Sequence, residues 1–284
     1  PQENFNFLNS YLSRIGPIIR ENHGFIDKYI GDAIMALFAE PTDASQRPNN
    51  TVSKNNDDHP AHSWHGDTAI DTAEQESDTA ICCCASGYAI RAALSMYKKL
   101  QDYNEERKSY NLVPIEIGIG IHTGQVMLGI IGEKQRIEST VISDTVNVAS
   151  RIERLTRTYL APIIVSEAVV QALPIDHPFH LRHLDNVVVK GKSRSVGIYQ
   201  ILDTFSGEDF DNFLATSKDF EQAVQLYESK KYIEAMNIFK QCYYKNKTDK
   251  TCLVFIQKIK KALQIESVIK ELESKQTEES KAGV

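Results

Sequence analysis

The chain has 284 residues, 42% hydrophobic and 25% charged, with a formal net charge of −6 and a sequence pI near 5.8. That balance fits one large globular domain with a smaller companion, and it offers no global positive field to recruit nucleic acid or an anionic membrane. No apolar run approaches the roughly 20 residues that span a bilayer. Five cysteines, with Cys82, Cys83 and Cys84 consecutive, are an odd and clustered set, which fits reduced thiols in a cytoplasmic compartment better than a disulfide framework. No signal-peptide pattern opens the chain, which starts at Pro1 rather than Met; it reads as a piece of a parent whose other segments leave room for membrane attachment.

Phe5 to Asn22 sets Leu8, Tyr11, Leu12, Ile15, Ile18 and Ile19 at helical spacing, with Gly16-Pro17 expected to kink or break the helix. Gly24 to Phe38, GFIDKYIGDAIMALF, reads as two short strands joined by a tight Gly31-Asp32 turn. Composition then shifts to Asn, Asp, Ser, Thr, Pro and His from Glu40 to Asp78, and Ala39 to Asp78 holds nine acidic against two basic residues. Such a stretch cannot offset its ordering entropy, so residues 40–78 are expected to be a disordered acidic insertion. Its His59, His62 and His65 are spaced like loop ligands, but with no cysteine beside them they read as polar linker rather than a metal site.

Thr79 to Arg107 is the next helix, with Cys82 to Cys84 packing as small apolar side chains. Strands are expected near 115–122, 125–131 and 139–142, the first two as a pair, because IEIGIGIHTGQVMLGIIG (Ile115 to Gly132) alternates apolar residues with glycines. A helix follows Asp144, then a strand at Ile163 to Val165, a helix from Ser166, and strands near 179–189 and 196–202. Strand pairs interleaved with helices predict a mixed α/β (α+β) domain over residues 1–204, with helices on a mostly antiparallel sheet. Beyond Asp203 the pattern is helical, and residues 205–265 resemble a tetratricopeptide-type hairpin with Thr248-Asp249 capping a third helix. So few repeats do not stand alone, so the segment is expected to dock on the domain or on a protein partner. Residues 266–284 are a charged tail expected to fray.

The run TVISDTVNVASR, Thr140 to Arg151, crosses from a strand end into a helix and puts Asn147 and Arg151 on one helix face. An amide and a permanent cation together suit a phosphorylated substrate. An N-capped amphipathic helix, with Asp144 capping and Arg151 solvated, is the other reading of the same run. Lys28 alone reads more often as a solvated strand lysine, and Asp32 alone as often as turn chemistry as a ligand.

Four blocks, Gly24 to Phe38, Ile115 to Gly132, Thr140 to Arg151 and Val187 to Leu202 (VVVKGKSRSVGIYQIL), stand in an order and spacing that resemble the catalytic domain of class III nucleotide cyclases. The resemblance covers about residues 5–204 apart from the insertion. It implies a ferredoxin-like core that converts ATP to 3′,5′-cyclic AMP and pyrophosphate in signal transduction. The 3′-hydroxyl would attack the α-phosphate with help from two Mg²⁺ or Mn²⁺ ions. Asp32 matches the second of the family's two metal aspartates. Lys28 and Thr140 match the pair that reads the purine. A lysine and a threonine satisfy adenine N1 and its N6 amine, whereas guanine is usually met by a glutamate with a small Cys or Ser. The pair resembles the subclass of cyanobacterial and bicarbonate-responsive soluble adenylyl cyclases.

Asn147 matches the residue that positions the ribose, and Arg151 the one that stabilises charge on the α-phosphate in the transition state. Lys190, or else Lys192, matches the lysine that holds the terminal phosphates; KGKS lacks the leading glycine and spacer of a Walker loop. Ser143 stands where the family often has glycine, with little functional cost expected. The family's first metal aspartate lies in a stretch like F-x-D-x-x-G-F-T on a strand ahead of the opening helix, and nothing before Phe5 matches it. The piece is therefore expected to lack one metal ligand and to be inactive or impaired, within an active parent. In the family the metal aspartates come from one subunit and the Lys, Thr, Asn and Arg from the other, which implies a homodimer. Two other readings stay open: a degenerate, non-catalytic scaffold, and a guanylyl cyclase, which Lys28 and Thr140 disfavour.

Overall fold

The computed structural model describes residues 2–41, 84–133, 136–188 and 195–282. Helix α1 (Gln2–Glu21) buries Tyr11, Ile15 and Ile19, spaced four apart, against the domain. It runs through Gly16-Pro17 without the break expected there. The carbonyl that Pro17 leaves without a helical donor belongs to Ser13, an exposed residue, so water can serve it while the buried stripe keeps the helix continuous.

Strands β1 (Gly24–Ile30) and β2 (Ala33–Phe38) form the expected hairpin, turning at Gly31, whose φ of +64° lies where a side chain is disfavoured. The register slips by one residue between Ile26 and Lys28, a bulge centred on Asp27. Helix α2 (Ala85–Ser109) starts at Cys84, whose Sγ accepts from the Gly87 N–H at 3.3 Å. Cys84 is buried, as its reading as a packing residue requires. The acidic insertion, His59, His62, His65, Cys82 and Cys83 lie outside the described residues. Leu100 of α2 meets Tyr11 and Ile15 of α1 over Ile34 of β2 and Ile115 and Ile117, so α2 roofs both the hairpin and the segment that leads into the next strand.

That strand is β3 (Ile119–Ile121), followed by β4 (Met127–Glu133), β5 (Arg136–Ile142), α3 (Asp144–Tyr159), β6 (Ile163–Ser166), α4 (Glu167–Gln171), β7 (Leu181–Val188) and β8 (Ser195–Ile201). The main sheet has the order β3-β6-β8-β7, parallel only between β3 and β6. β3 and β4 are not the pair expected from their sequence: β3 takes β6, and β4 folds back on β5 as a separate antiparallel ribbon. Residues 115–118 join no ladder; Asn104 instead clamps the main chain of Ile115, accepting from its N–H at 2.7 Å and donating to its carbonyl at 2.9 Å. Gly118 and Gly120 of this block serve α3 rather than a strand partner. A Cβ on Gly120 would strike the Glu153 amide and stand 2.6 Å from the Ala149 carbonyl, and one on Gly118 would strike Thr156 Oγ1. Helix and strand therefore meet backbone to backbone. Among the described residues β2 pairs only with β1 and β3 only with β6, so each keeps one open edge.

Three helices complete the chain: α5 (Gly207–Glu228), α6 (Tyr232–Lys245) and α7 (Lys250–Ala282). The backbone of α7 stays helical through the stretch expected to fray, whose Lys and Glu residues are good helix formers. α5, α6 and α7 dock on the domain through one continuous core, in which Val148, Ile152 and Tyr159 of α3 pack with Phe220, Phe239 and Phe255. A buried polar contact crosses the same boundary. Arg182 of β7, fully enclosed, donates to both carboxylate oxygens of Asp249 at 2.6 and 3.1 Å and to Gln200 Oε1 at 2.7 Å, with its guanidinium 3.7 Å over the Phe220 ring.

Candidate active site

α3 begins with a built cap. Ser143 Oγ accepts from the Thr145 N–H at 3.1 Å and donates to the Gln125 carbonyl at 2.6 Å, while Thr145 Oγ1 donates to the same carbonyl at 3.0 Å. Ser143, not Asp144, is thus the N-cap; Asp144 sits in the first turn, where a carboxylate suits the helix dipole. The φ of Ser143 is −167°, extended backbone that needs no glycine, so the departure from the family pattern costs no strain here.

Downstream of the cap the helix divides. Val148, Ile152, Thr156 and Tyr159 are buried, while Asn147 is exposed and Arg151, one turn on, half-buried. The helix thus offers an amide and a planar cation side by side in its first half, the end whose free N–H groups and dipole favour an anion. Thr140 lies on β5 opposite Gly129, on the strand that leads into this helix. Lys190 and Lys192 lie outside the described residues.

Lys28 and Asp32 sit together on the other element, the β1–β2 hairpin. Lys28 is half-buried, its Nζ 3.2 Å from Oδ2 of Asp27, whose side chain is only 2% exposed. Neighbours in a regular strand point to opposite faces; the bulge lets this pair meet. The contact is one of charge, since among the described residues Asp27 Oδ2 has no donor in hydrogen-bond geometry. Asp27 escaped the sequence reading because strict alternation sends it away from Lys28. Asp32 is exposed in the turn. Burial first, and then the charge of Asp32, raises the phenol of Tyr11 above the ordinary tyrosine range.

The structure therefore gathers the expected residues into two groups, Lys28 with Asp32 and Asn147 with Arg151. The hairpin packs on α1 and α2, whereas α3 packs on β3, β6 and α7. Asp32 is a lone exposed carboxylate, and among the described residues no three His, Cys, Asp or Glu side chains gather to hold a metal ion. A pair of divalent cations therefore fits this chain's own donors only in part. No helix among the described residues is long and apolar enough to cross a membrane.

The family profile described as "Adenylate and Guanylate cyclase catalytic domain" matches residues 1–203. Among curated proteins, the chain is 40% identical over 206 residues to "Adenylate cyclase" of Anabaena cylindrica, covering 71% of this chain and 32% of that protein. It is 32% identical over 258 residues to "Adenylate cyclase, terminal-differentiation specific" of Dictyostelium discoideum, covering 89% of this chain and 10% of that protein. The chain thus spans a third or less of the length of these relatives. The crystal structure of the adenylyl cyclase CyaB from P. aeruginosa superposes with a TM-score of 0.50 at 23% identity, covering 73% of this chain and 85% of that one, a likeness of fold. With the profile spanning most of the chain, and the β5–α3 unit and the glycine-lined β3 in their expected places, the protein belongs to the class III adenylate and guanylate cyclase catalytic-domain family.

Proposed function

We propose that this domain makes 3′,5′-cyclic AMP and pyrophosphate from ATP for signal transduction. The observation that carries the reading is the division of α3, with Asn147 exposed and Arg151 half-buried one turn apart while the next residue of each, Val148 and Ile152, is locked in the core. Asn147 orients the ribose and Arg151 meets the charge that grows on the α-phosphate, as a preorganised donor does. Lys28, steadied by Asp27, reads adenine together with Thr140, and Lys190 holds the terminal phosphates. Asp32 would supply one carboxylate to a pair of Mg²⁺ or Mn²⁺ ions, whose chemistry would be to neutralise the phosphates.

The site is completed by a second copy of the chain, one copy bringing Asp32 and the other Lys28, Thr140, Asn147 and Arg151. Apolar side chains left exposed on β1 of the hairpin and on β4 support this. Phe25 and Ile30 of β1 and Met127 and Leu128 of β4 are each more than half exposed, surface that a partner would cover. The first metal aspartate, in this reading, rides on a strand ahead of Pro1 that lodges between the open edges of β2 and β3. Cyclic AMP formation, measured for residues 1–284 and for a form with such a strand before Pro1, tests this. The longer form is expected to turn over ATP in preference to GTP and the shorter to be inactive or badly impaired. Robust activity from residues 1–284 alone overturns the requirement for the strand, and no cyclic AMP from the longer form overturns the enzymatic reading.

A further inference from the structure

Helix α7 holds the C-terminal end of α3. Tyr159 ends α3, and its main-chain carbonyl is one of those that a helix C-terminus leaves without an internal partner. Thr251 of α7 donates to that carbonyl from Oγ1 at 3.0 Å, in a buried position. The Tyr159 hydroxyl is held as well: it donates to Asp185 Oδ2 of β7 at 2.5 Å and accepts from Lys258 Nζ of α7 at 2.8 Å. Lys258 also reaches Asp185 Oδ2 at 3.0 Å, closing a three-membered polar cluster between sheet, α3 and α7. The ammonium lies 4.2 Å over the Tyr159 ring, so the anchor is gripped at its face, its hydroxyl and its backbone.

Tyr159 lies on the same stripe as Val148 and Ile152, and α helices turn about 100° per residue, so fixing Tyr159 fixes how far Asn147 and Arg151 are rotated out of the core. A slide of a single residue along the axis is about 1.5 Å, and a misplacement of about 1 Å at a reacting centre can lower turnover about a hundredfold. We propose that Thr251 and Lys258 are positioning residues that act through Tyr159, so that α7 sets the placement of Asn147 and Arg151 and is a working part of the nucleotide site. The inference rests on the role given to α3 under the proposed function.

The test uses Thr251→Val, which keeps the shape and loses the donor, Thr251→Ser, which keeps the hydroxyl, and Lys258→Met, with Lys260→Met on the exposed side of α7 as the charge-loss control. Two readouts are taken on the longer, competent form: hydrogen exchange of the α3 amides, and kcat and KM for ATP. Thr251→Val and Lys258→Met are expected to speed exchange in the last turns of α3 about tenfold and to lower kcat about tenfold with KM within about twofold, whereas Thr251→Ser and Lys260→Met match the parent in both. Unchanged exchange overturns the anchoring. Faster exchange with unchanged kcat overturns the positioning role. An unsubstituted protein that makes no cyclic AMP brings down the functional reading, and with it the role in turnover, while the exchange data still decide the anchoring by themselves.

Discussion

Arg182 and Asp249, 67 residues apart, share two hydrogen bonds in a site closed to solvent, one from the sheet and one from the turn that opens α7. Two buried ions are costly to desolvate, and their attraction and hydrogen bonds offset that cost only while both partners are present. Asp249→Ala is therefore expected to lower unfolding stability by about 3–5 kcal/mol in urea titrations, since it strands a buried guanidinium. The double variant Arg182→Met/Asp249→Leu should recover most of that loss, and a double variant no more stable than the single one would show that the contact contributes more than charge balance.

Gly120 carries a steric prediction. A methyl group there meets the backbone of Glu153 and Ala149, which cannot rotate aside as a side chain can. Gly120→Ala should destabilise by about 1–3 kcal/mol or more. Gly129→Ala, where a Cβ meets nothing within 4 Å, should be tolerated. Thermal unfolding of the two variants, read against the parent, separates close packing at β3 from a general cost of losing glycine.

Arg151 and Asp27 give the predictions for turnover. In the competent form, Arg151→Ala should lower kcat for cyclic AMP about a hundredfold or more with little change in KM, because its contact strengthens as charge develops. A raised KM with unchanged kcat would place Arg151 in ground-state binding instead.

Asp27→Asn keeps the shape and removes the charge that steadies Lys28. It is expected to lower kcat/KM for ATP roughly tenfold and to narrow the preference over GTP, comparable in size to losing one charge-assisted contact. Equal loss for both nucleotides would assign Asp27 to the hairpin's stability alone.

Tyr159 makes stability depend on alkaline pH. Burial, followed by the charge of Asp185, raises its phenol well above the ordinary range. The folded chain keeps this proton at a pH where the unfolded chain releases it, so above about pH 10 the unfolded state binds fewer protons and stability falls as pH rises. Below that pH the contribution is fully present. Tyr159→Phe should flatten the alkaline slope by up to about 1.4 kcal/mol per pH unit, while the other tyrosines stay common to both proteins. Denaturant titrations from pH 8 to pH 11, a range of about three units around the tyrosine value, measure it.

Local chemistry made part of this molecule readable from its sequence. The Gly31 turn, the period of α1 and the strand-to-helix passage at Ser143 are set within a few residues of themselves. Pairing over distance was not: β3 could be seen as a strand, but its choice of β6 over β4 depends on α3 lying against Gly118 and Gly120. Asp27 was hidden by a bulge that alternation does not anticipate. Arg182 was hidden by its type, since an arginine in a strand reads as solvated until the carboxylate 67 residues later is known to enclose it. Thr251 and Lys258 look like ordinary helix residues because what they hold, the end of α3, is far off in the chain.

The shared core of α3 and α7 also fixes an order in time. The ribosome finishes Tyr159 a full 92 residues before Thr251, an interval of roughly 5–20 s at ordinary rates of synthesis. For that interval Val148 and Ile152 wait beside a sheet with their final cover, Phe220 through Phe255, absent or incomplete. The nascent chain is thus most exposed to wrong association after α3 has been made, and it is the emergence of α7 that ends the danger.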